Sequence, residues 1–376
     1  MEQKRAERSP VLRWVLLALL AAVLTAVVIY AVKTVRLVNQ TREMVEVMQE
    51  TGTVGKIETP EVQTPPEYQG TYINLLVVGI DYDAGDEQRD YGSPEDANTD
   101  VILYLHYNIK ENNVSILQIP RDSYVGFTAN KRINRVFAEG SSQDNHIQNL
   151  AEYIHDAFGL SVDKYVALDM GAFKEIVDVM GGMDLYVPFD IYEYDEAGNE
   201  YLSVPAGTVR MNGADVERVV RARKQFQQAD LQRLVLQRYV YAAMFKLIKS
   251  CTMGDLYRHV LPIVAYRIKT DLDFDDLYAL SVNGLKLSGD RIFFVRVPGG
   301  PLTIDGEAVY GVDAAALAPI LNEHFLLEGE PLIDAADMQI PTGWDYPLGE
   351  VIEEGSYLSD QLAEADADAN AADEAE

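Results

Sequence analysis

From residue 72 to residue 325, short apolar runs of strand length alternate with segments of helical period. That alternation restricts the chain to a sheet with helices packed against it. The run YINLLVVGI (72–80) is almost wholly apolar, as a strand covered on both faces must be. A polar loop, a second strand VILYLHYNI, the turn KENN and a third strand VSILQIP follow. Helical spacing then appears in HIQNLAEYIHDAFGL, strand character in YVALDM, and a helix in AFKEIVDVMGG that its glycines close. After the strand MDLYVPF, helical periodicity runs from Asp230 to about Lys249. A helix (DFDDLYALSVNGL), a strand (RIFFVRVP) and a last helix (AAALAPILNEHF) complete the pattern. No internal repeat is visible, and the expected class is α/β with a central sheet flanked by helices.

The flanking regions are of a different kind. Residues 14–32 form a 19-residue stretch without a charge, the length that crosses ~30 Å of hydrocarbon. Lys4, Arg5, Arg8 and Arg13 precede it, which predicts a cytoplasmic arm over 1–13 and a single transmembrane helix over 14–32. A cleaved signal peptide would have an apolar region of only ~7–15 residues, so the reading is an uncleaved anchor in the cell membrane. Everything after it is expected on the extracytoplasmic side. Residues 33–70 read as a stalk and proline-containing linker, 71–340 as the folded domain, and 341–376 as an acidic, disordered tail. After Arg296 there is no Lys or Arg but 19 acidic residues, within a net charge of −29. Nucleic acid is therefore excluded as a partner. The single cysteine, Cys251, excludes an internal disulfide framework.

Against this acidity, the segment RVVRARKQFQQADLQRLVLQR (218–238) places six bases beside one acid, Asp230. Clustered guanidiniums repel one another unless an anion with several oxygens, such as a phosphate, lies between them. The rival reading is a solvated helix face. Arg221 and Arg223, two apart, share a face if that part is extended. Asp230, Arg233 and Gln237 share a stripe if the following part is helical, with Leu231, Leu234 and Val235 turned to the core. Acidic and basic residues also gather at strand ends, where ligands collect in such folds. Asp81 ends the first strand, Arg121 follows the third, and Asp100 opens the second. If the second strand is antiparallel to the first, Asp81 and Asp100 are neighbours, and a hard divalent cation would relieve their repulsion. No nucleophile stands out: there is no GxSxG, no glycine-rich phosphate loop, and no histidine pair at metal-ligand spacing.

Taken together these motifs resemble the LytR-CpsA-Psr family of membrane-anchored proteins that attach anionic glycopolymers to peptidoglycan. The resemblance is carried by NLLVVGID, TDVILYLHYN, IPRDSYV, RINRVFAEG, the GG of VDVMGGMDLYV, and RARKQFQQADLQRLVLQ, over residues 72–325. It implies a three-layer α/β/α sandwich with a central mixed sheet and a pocket for a prenyl chain. The implied substrate is a polyprenyl-pyrophosphate-linked glycan, the implied acceptor is peptidoglycan, and the implied cofactor is Mg²⁺ or Mn²⁺ on Asp81 and Asp100. Arg121, Arg132, Arg221, Arg223, Arg233 and Gln237 match the pyrophosphate-binding positions, and Asp230 matches their accompanying acid. The expected activity is a phosphotransferase in which Asp81, Asp100, Arg121 and Asp230 carry the chemistry. A pyrophosphate-lipid hydrolase and a non-catalytic lipid-glycan-binding regulator are the alternatives. The chain departs from the family pattern at Leu236, Ala229 and Ser141, where Arg, Gly and Gly are usual.

Overall fold

The computed structural model describes residues 39, 42–43, 60–66, 70–81, 98–140, 146–194, 199–221, 229–260, 262–263, 268–341, 355–363 and 367. At 81, 221, 229–235, 238 and 274 it describes the backbone alone. The expected membrane span, 14–32, lies outside these residues. Among the described residues no helix is long and apolar enough to cross a membrane.

The strands, in chain order, are β1 (Tyr72–Asp81), β2 (Asn98–Asn108), β3 (Asn113–Gln118), β4 (Lys164–Asp169), β5 (Met183–Val187), β6 (Ile191–Tyr194) and β7 (Glu200–Val204). They continue with β8 (Gly207–Met211), β9 (Lys269–Thr270), β10 (Ile292–Arg296), β11 (Gly299–Ile304), β12 (Glu307–Val312) and β13 (Ser356–Tyr357). The longer helices are α1 (His146–Phe158), α2 (Met170–Val179), α3 (Gly213–Arg221), α4 (Ala229–Ser250), α5 (Phe274–Gly284) and α6 (Ala314–His324).

Seven strands make one mixed sheet in the order β13-β10-β3-β2-β1-β4-β9. β1 lies parallel to β4 and β3 parallel to β10, while β2 runs antiparallel between β1 and β3. The parallel strands therefore finish at one end of the sheet, and β2 starts there. Helices cover both faces, which explains the near-continuous apolar runs of β1 and β10. On one face α1 and α6 bury Leu150, Ile154, Leu317 and Leu321 against Leu76, Val78, Tyr104 and Leu117. Leu76, Leu117, Leu150 and Ile154 are 0 % exposed, each worth about 2 kcal/mol by the area it hides. On the other face α4 packs Ala242 near Tyr107 and Ile292, and α2 packs Ala172 and Ile176 near Val166 and Leu168.

A smaller apolar cluster joins the two-stranded β5–β8 sheet to α2, α3 and α4 through Val177, Met183, Leu185, Val216, Leu236 and Val240. It seats α4 so that the side opposite this pair of strands meets the main sheet. Gly181 and Gly182, both at positive φ, end α2. A Cβ on Gly182 would sit 2.6 Å from the Met211 carbonyl, so only glycine allows α2 this close to β8.

Two expectations are corrected here. Arg221 is the last residue of α3, not part of an extended segment. The tail is not structureless from residue 341 onward: Ser356 and Tyr357 pair with Phe294 and Phe293 at the sheet edge. Leu358 is 5 % exposed behind them. A side chain at Gly355 would meet the Phe293 ring at 2.6 Å, so the segment lies flat on it. Tyr357 and Leu358 supply the apolar contact that overcomes the charge of the surrounding residues.

Candidate active site

The sheet end where β1, β3, β4 and β10 finish collects the charged residues. Asp81 closes β1 and its backbone pairs with Asn98; Ile80 pairs with Thr99, and Gly79 with Val101. Asp100 is thus the extra residue of a β-bulge. A bulge re-aims one side chain, and here Thr99 turns fully inward (0 % exposed) while Asp100 lines a cavity. Gly79 permits the crossing, because its Cβ would come 3.0 Å from the Cβ of Val101.

Arg121 lies three residues beyond β3, on a turn fixed by two bonds to the Pro120 carbonyl, from Ser123 N (3.0 Å) and Ser123 Oγ (2.7 Å). Asn134 N donates to the Arg121 carbonyl at 3.1 Å and fixes the other side. The Arg121 guanidinium pairs with the Asp100 carboxylate, and its Nε is 3.5 Å from Asp122 Oδ1. The two partners are 15 % and 30 % exposed, so the pair is partly withdrawn from water.

The cavity beside this pair has a volume of about 200 Å³ and lies between the sheet and α2, α3 and α4. Val77, Leu103, Leu168, Phe173, Val220 and Val240 make most of its wall apolar. Asp100, Arg121, Asp169 and Gln237 supply its charged and amide groups. Gln237 is 7 % exposed and accepts a 2.7 Å hydrogen bond on Oε1 from Gln118 Nε2. The backbones of Asp230 and Arg233 share α4 with Gln237, about two turns and one turn nearer its start respectively. The side chains of Asp81, Arg221, Asp230 and Arg233, and all of Arg223, lie outside the described residues.

Arg132 is engaged elsewhere. Its Nη2 and Nε donate to the Ala308 carbonyl at 2.8 and 3.1 Å, and Nη1 is 3.6 Å from Asp122. It ties β12 to the loop carrying Arg121 and is not among the cavity-lining residues. Sequence reasoning did not single out Asp169, which ends β4 and caps α2, its Oδ1 accepting from Ala172 N at 2.5 Å. Its signal was present: an acid closing an apolar strand and opening a helix. Among the described residues no group of three or more His, Cys, Asp or Glu is placed to hold a metal.

The LytR_cpsA_psr family profile matches residues 34–325. The chain belongs to this family. Polyisoprenyl-teichoic acid–peptidoglycan teichoic acid transferase TagU of Bacillus licheniformis is 26 % identical over 257 residues, covering 66 % of this chain and 76 % of TagU. TagU of Bacillus cereus (strain AH820) is 27 % identical over 258 residues, covering 67 % and 77 %. Among solved structures, B. subtilis TagV superposes with a TM-score of 0.52 at 21 % identity, over 68 % of this chain and 97 % of TagV. TagT bound to LIIa-WTA gives 0.52 at 17 % identity, over 76 % and 99 %. These superpositions establish a shared fold: a mixed α/β domain around a central mixed sheet.

Proposed function

We propose that this LytR-CpsA-Psr protein transfers an anionic glycopolymer from a polyprenyl-pyrophosphate carrier to peptidoglycan. The observation that carries the reading is the cavity itself. Its apolar wall suits part of a prenyl chain, and its charged end, with Arg121 and the amide of Gln237, suits a pyrophosphate. The TagU relatives are named for transfer from a polyisoprenyl-linked teichoic acid to peptidoglycan, which supports the same pairing of donor and acceptor.

In the step, an acceptor sugar hydroxyl forms a new O–P bond to the glycan-bearing phosphorus. The bridging P–O bond breaks, its electron pair leaves with polyprenyl phosphate, and the hydroxyl proton passes to a nearby carboxylate or water. Arg121 holds phosphate oxygens and offsets charge growing on the leaving group. Arg221, Arg223 and Arg233 are assigned the remaining phosphate contacts, Arg132 the outer rim, and Asp230 the orientation of Arg233. The apolar wall keeps water from competing with the sugar.

Asp81 and Asp100 are assigned to Mg²⁺ or Mn²⁺. Their oxygen-only donors on adjacent strands suit a hard cation, which when bound would neutralise pyrophosphate charge. Residues 14–32 are assigned as the membrane anchor, with the catalytic domain outside the cell. The test is full-length protein in detergent with a lipid-linked glycan and peptidoglycan fragments. Covalent glycan on peptidoglycan together with released polyprenyl phosphate is expected. Release of glycan phosphate to water alone would make the protein a hydrolase, and no turnover would refute an enzymatic role.

A further inference from the structure

Two buried polar side chains at the functional end of the sheet stand behind the cavity without lining it. Gln118 ends β3 and is 3 % exposed; Arg296 ends β10 and is 4 % exposed. The parallel register pairs Arg296 with Gln118, so both side chains leave the sheet on the same face. That face looks at α4. Two residues earlier on β10 the ring of Phe294 meets Tyr241 of α4 at 5.7 Å, and Ile292 packs near Ala242.

The Gln118–Gln237 bond is directional. A carboxamide has an acceptor end and a donor end. Gln237 accepts on Oε1, so its NH₂ turns the other way, toward the cavity it lines with Asp100 and Arg121. Gln118 donates toward α4, and its register neighbour on β10 is the buried Arg296. The Arg296 guanidinium carries donors only, and a buried cation beside an amide favours the orientation that offers it oxygen. Reversing both amides would put NH₂ toward the guanidinium and the Gln237 oxygen toward the anion, which is worse at both ends.

We propose that Gln118 and Arg296 are positioning residues: the buried guanidinium orients Gln118, and Gln118 holds Gln237 with its NH₂ facing the pyrophosphate. This rests on the anionic ligand assigned above. It makes the charged end of β10 part of the site without touching the substrate.

The test measures farnesyl pyrophosphate binding to the full-length protein in detergent by calorimetry, with thermal denaturation as a fold check. Gln237→Ala is expected to weaken binding about tenfold or more, as for a lost hydrogen bond to a charged group. Gln118→Glu, which can only accept, forces Gln237 to turn its NH₂ away and should weaken binding at least as much. Gln118→Met and Arg296→Met should give smaller losses, and Arg296→Lys should recover most of the latter. The deciding readout is the double variant: once Gln237 is Ala, Gln118→Glu should add little. An undiminished effect there means its charge acts directly and the relay is wrong. Wild-type binding by both Gln118→Met and Arg296→Met overturns it too. If wild type fails to bind, or Gln237→Ala binds normally, the pyrophosphate site falls and the relay falls with it.

Discussion

His106 makes the domain sensitive to acid in a way the structure quantifies. It lies on β2, 6 % exposed, stacked on Tyr72 at 5.0 Å between centroids, with Phe325 at 6.5 Å. Its Nδ1 is 2.7 Å from Asn74 Oδ1, so the neutral ring donates there. Burial lowers its pKa from 6.5 to about 4. A histidine whose folded pKa is depressed contributes fully above its unfolded value, and the contribution is lost as pH falls from 6.5 toward 4. That depression corresponds to about 3 kcal/mol, a large part of a typical domain stability. Urea denaturation of wild type and His106→Phe between pH 7.5 and 4 isolates it, because the other titrating groups are common to both. Wild type should lose about 3 kcal/mol more than the variant across that window, chiefly below pH 6.5. Parallel stability curves for the two proteins would show that the ring takes up its proton without cost, through a local opening at Tyr72 or Phe325.

Asp81→Asn with Asp100→Asn should abolish metal dependence together with transfer; full wild-type turnover in EDTA would remove the metal from the mechanism. Asp169→Ala should cost about 1 kcal/mol by loss of the α2 cap, whereas Asp169→Asn keeps the cap and should melt close to wild type. Gly79→Val should crowd Val101 and the cavity wall, lowering stability by about 1–3 kcal/mol and prenyl-pyrophosphate binding at least tenfold; chemical denaturation and calorimetry read the two effects. Leu358→Ala should loosen the C-terminal segment, seen as faster proteolysis after residue 341 and about 2 kcal/mol less protection of β10 amides in hydrogen exchange.

The long strands of the main sheet were legible because each is covered on both faces and therefore reads as an unbroken apolar run. The same holds for α1, whose Ile147, Leu150, Ala151 and Ile154 recur at helical spacing. The small hairpin β6–β7 was not foreseen, since each of its strands buries a single residue and carries Tyr and Glu outward; β11–β12 was not foreseen because Gly299, Gly300 and Pro301 make its first strand read as a turn. Around the site, Asp100 and Arg121 could be named from position and family motif. Asp169 was missed because an acid between a strand and a helix reads first as a helix cap, which it also is. Gln118 and Arg296 sit at the ends of ordinary strand patterns, and only the register and burial reveal that they face α4 together. The docked Ser356–Leu358 segment escaped notice because its two ladder pairs are a tertiary event inside an acidic stretch.

The bulged ladder between β1 and β2 has a further consequence. Its backbone pairing from Tyr72–Asn108 to Asp81–Asn98 fixes how far apart the Asp81 and Asp100 backbones stand, whatever connects the two strands. Residues 82–97 are thereby released from any duty as a spacer. Evolution can lengthen, shorten or recharge that connection to suit a different polymer, and an engineer can transplant one from another member, without disturbing the spacing of the two acids.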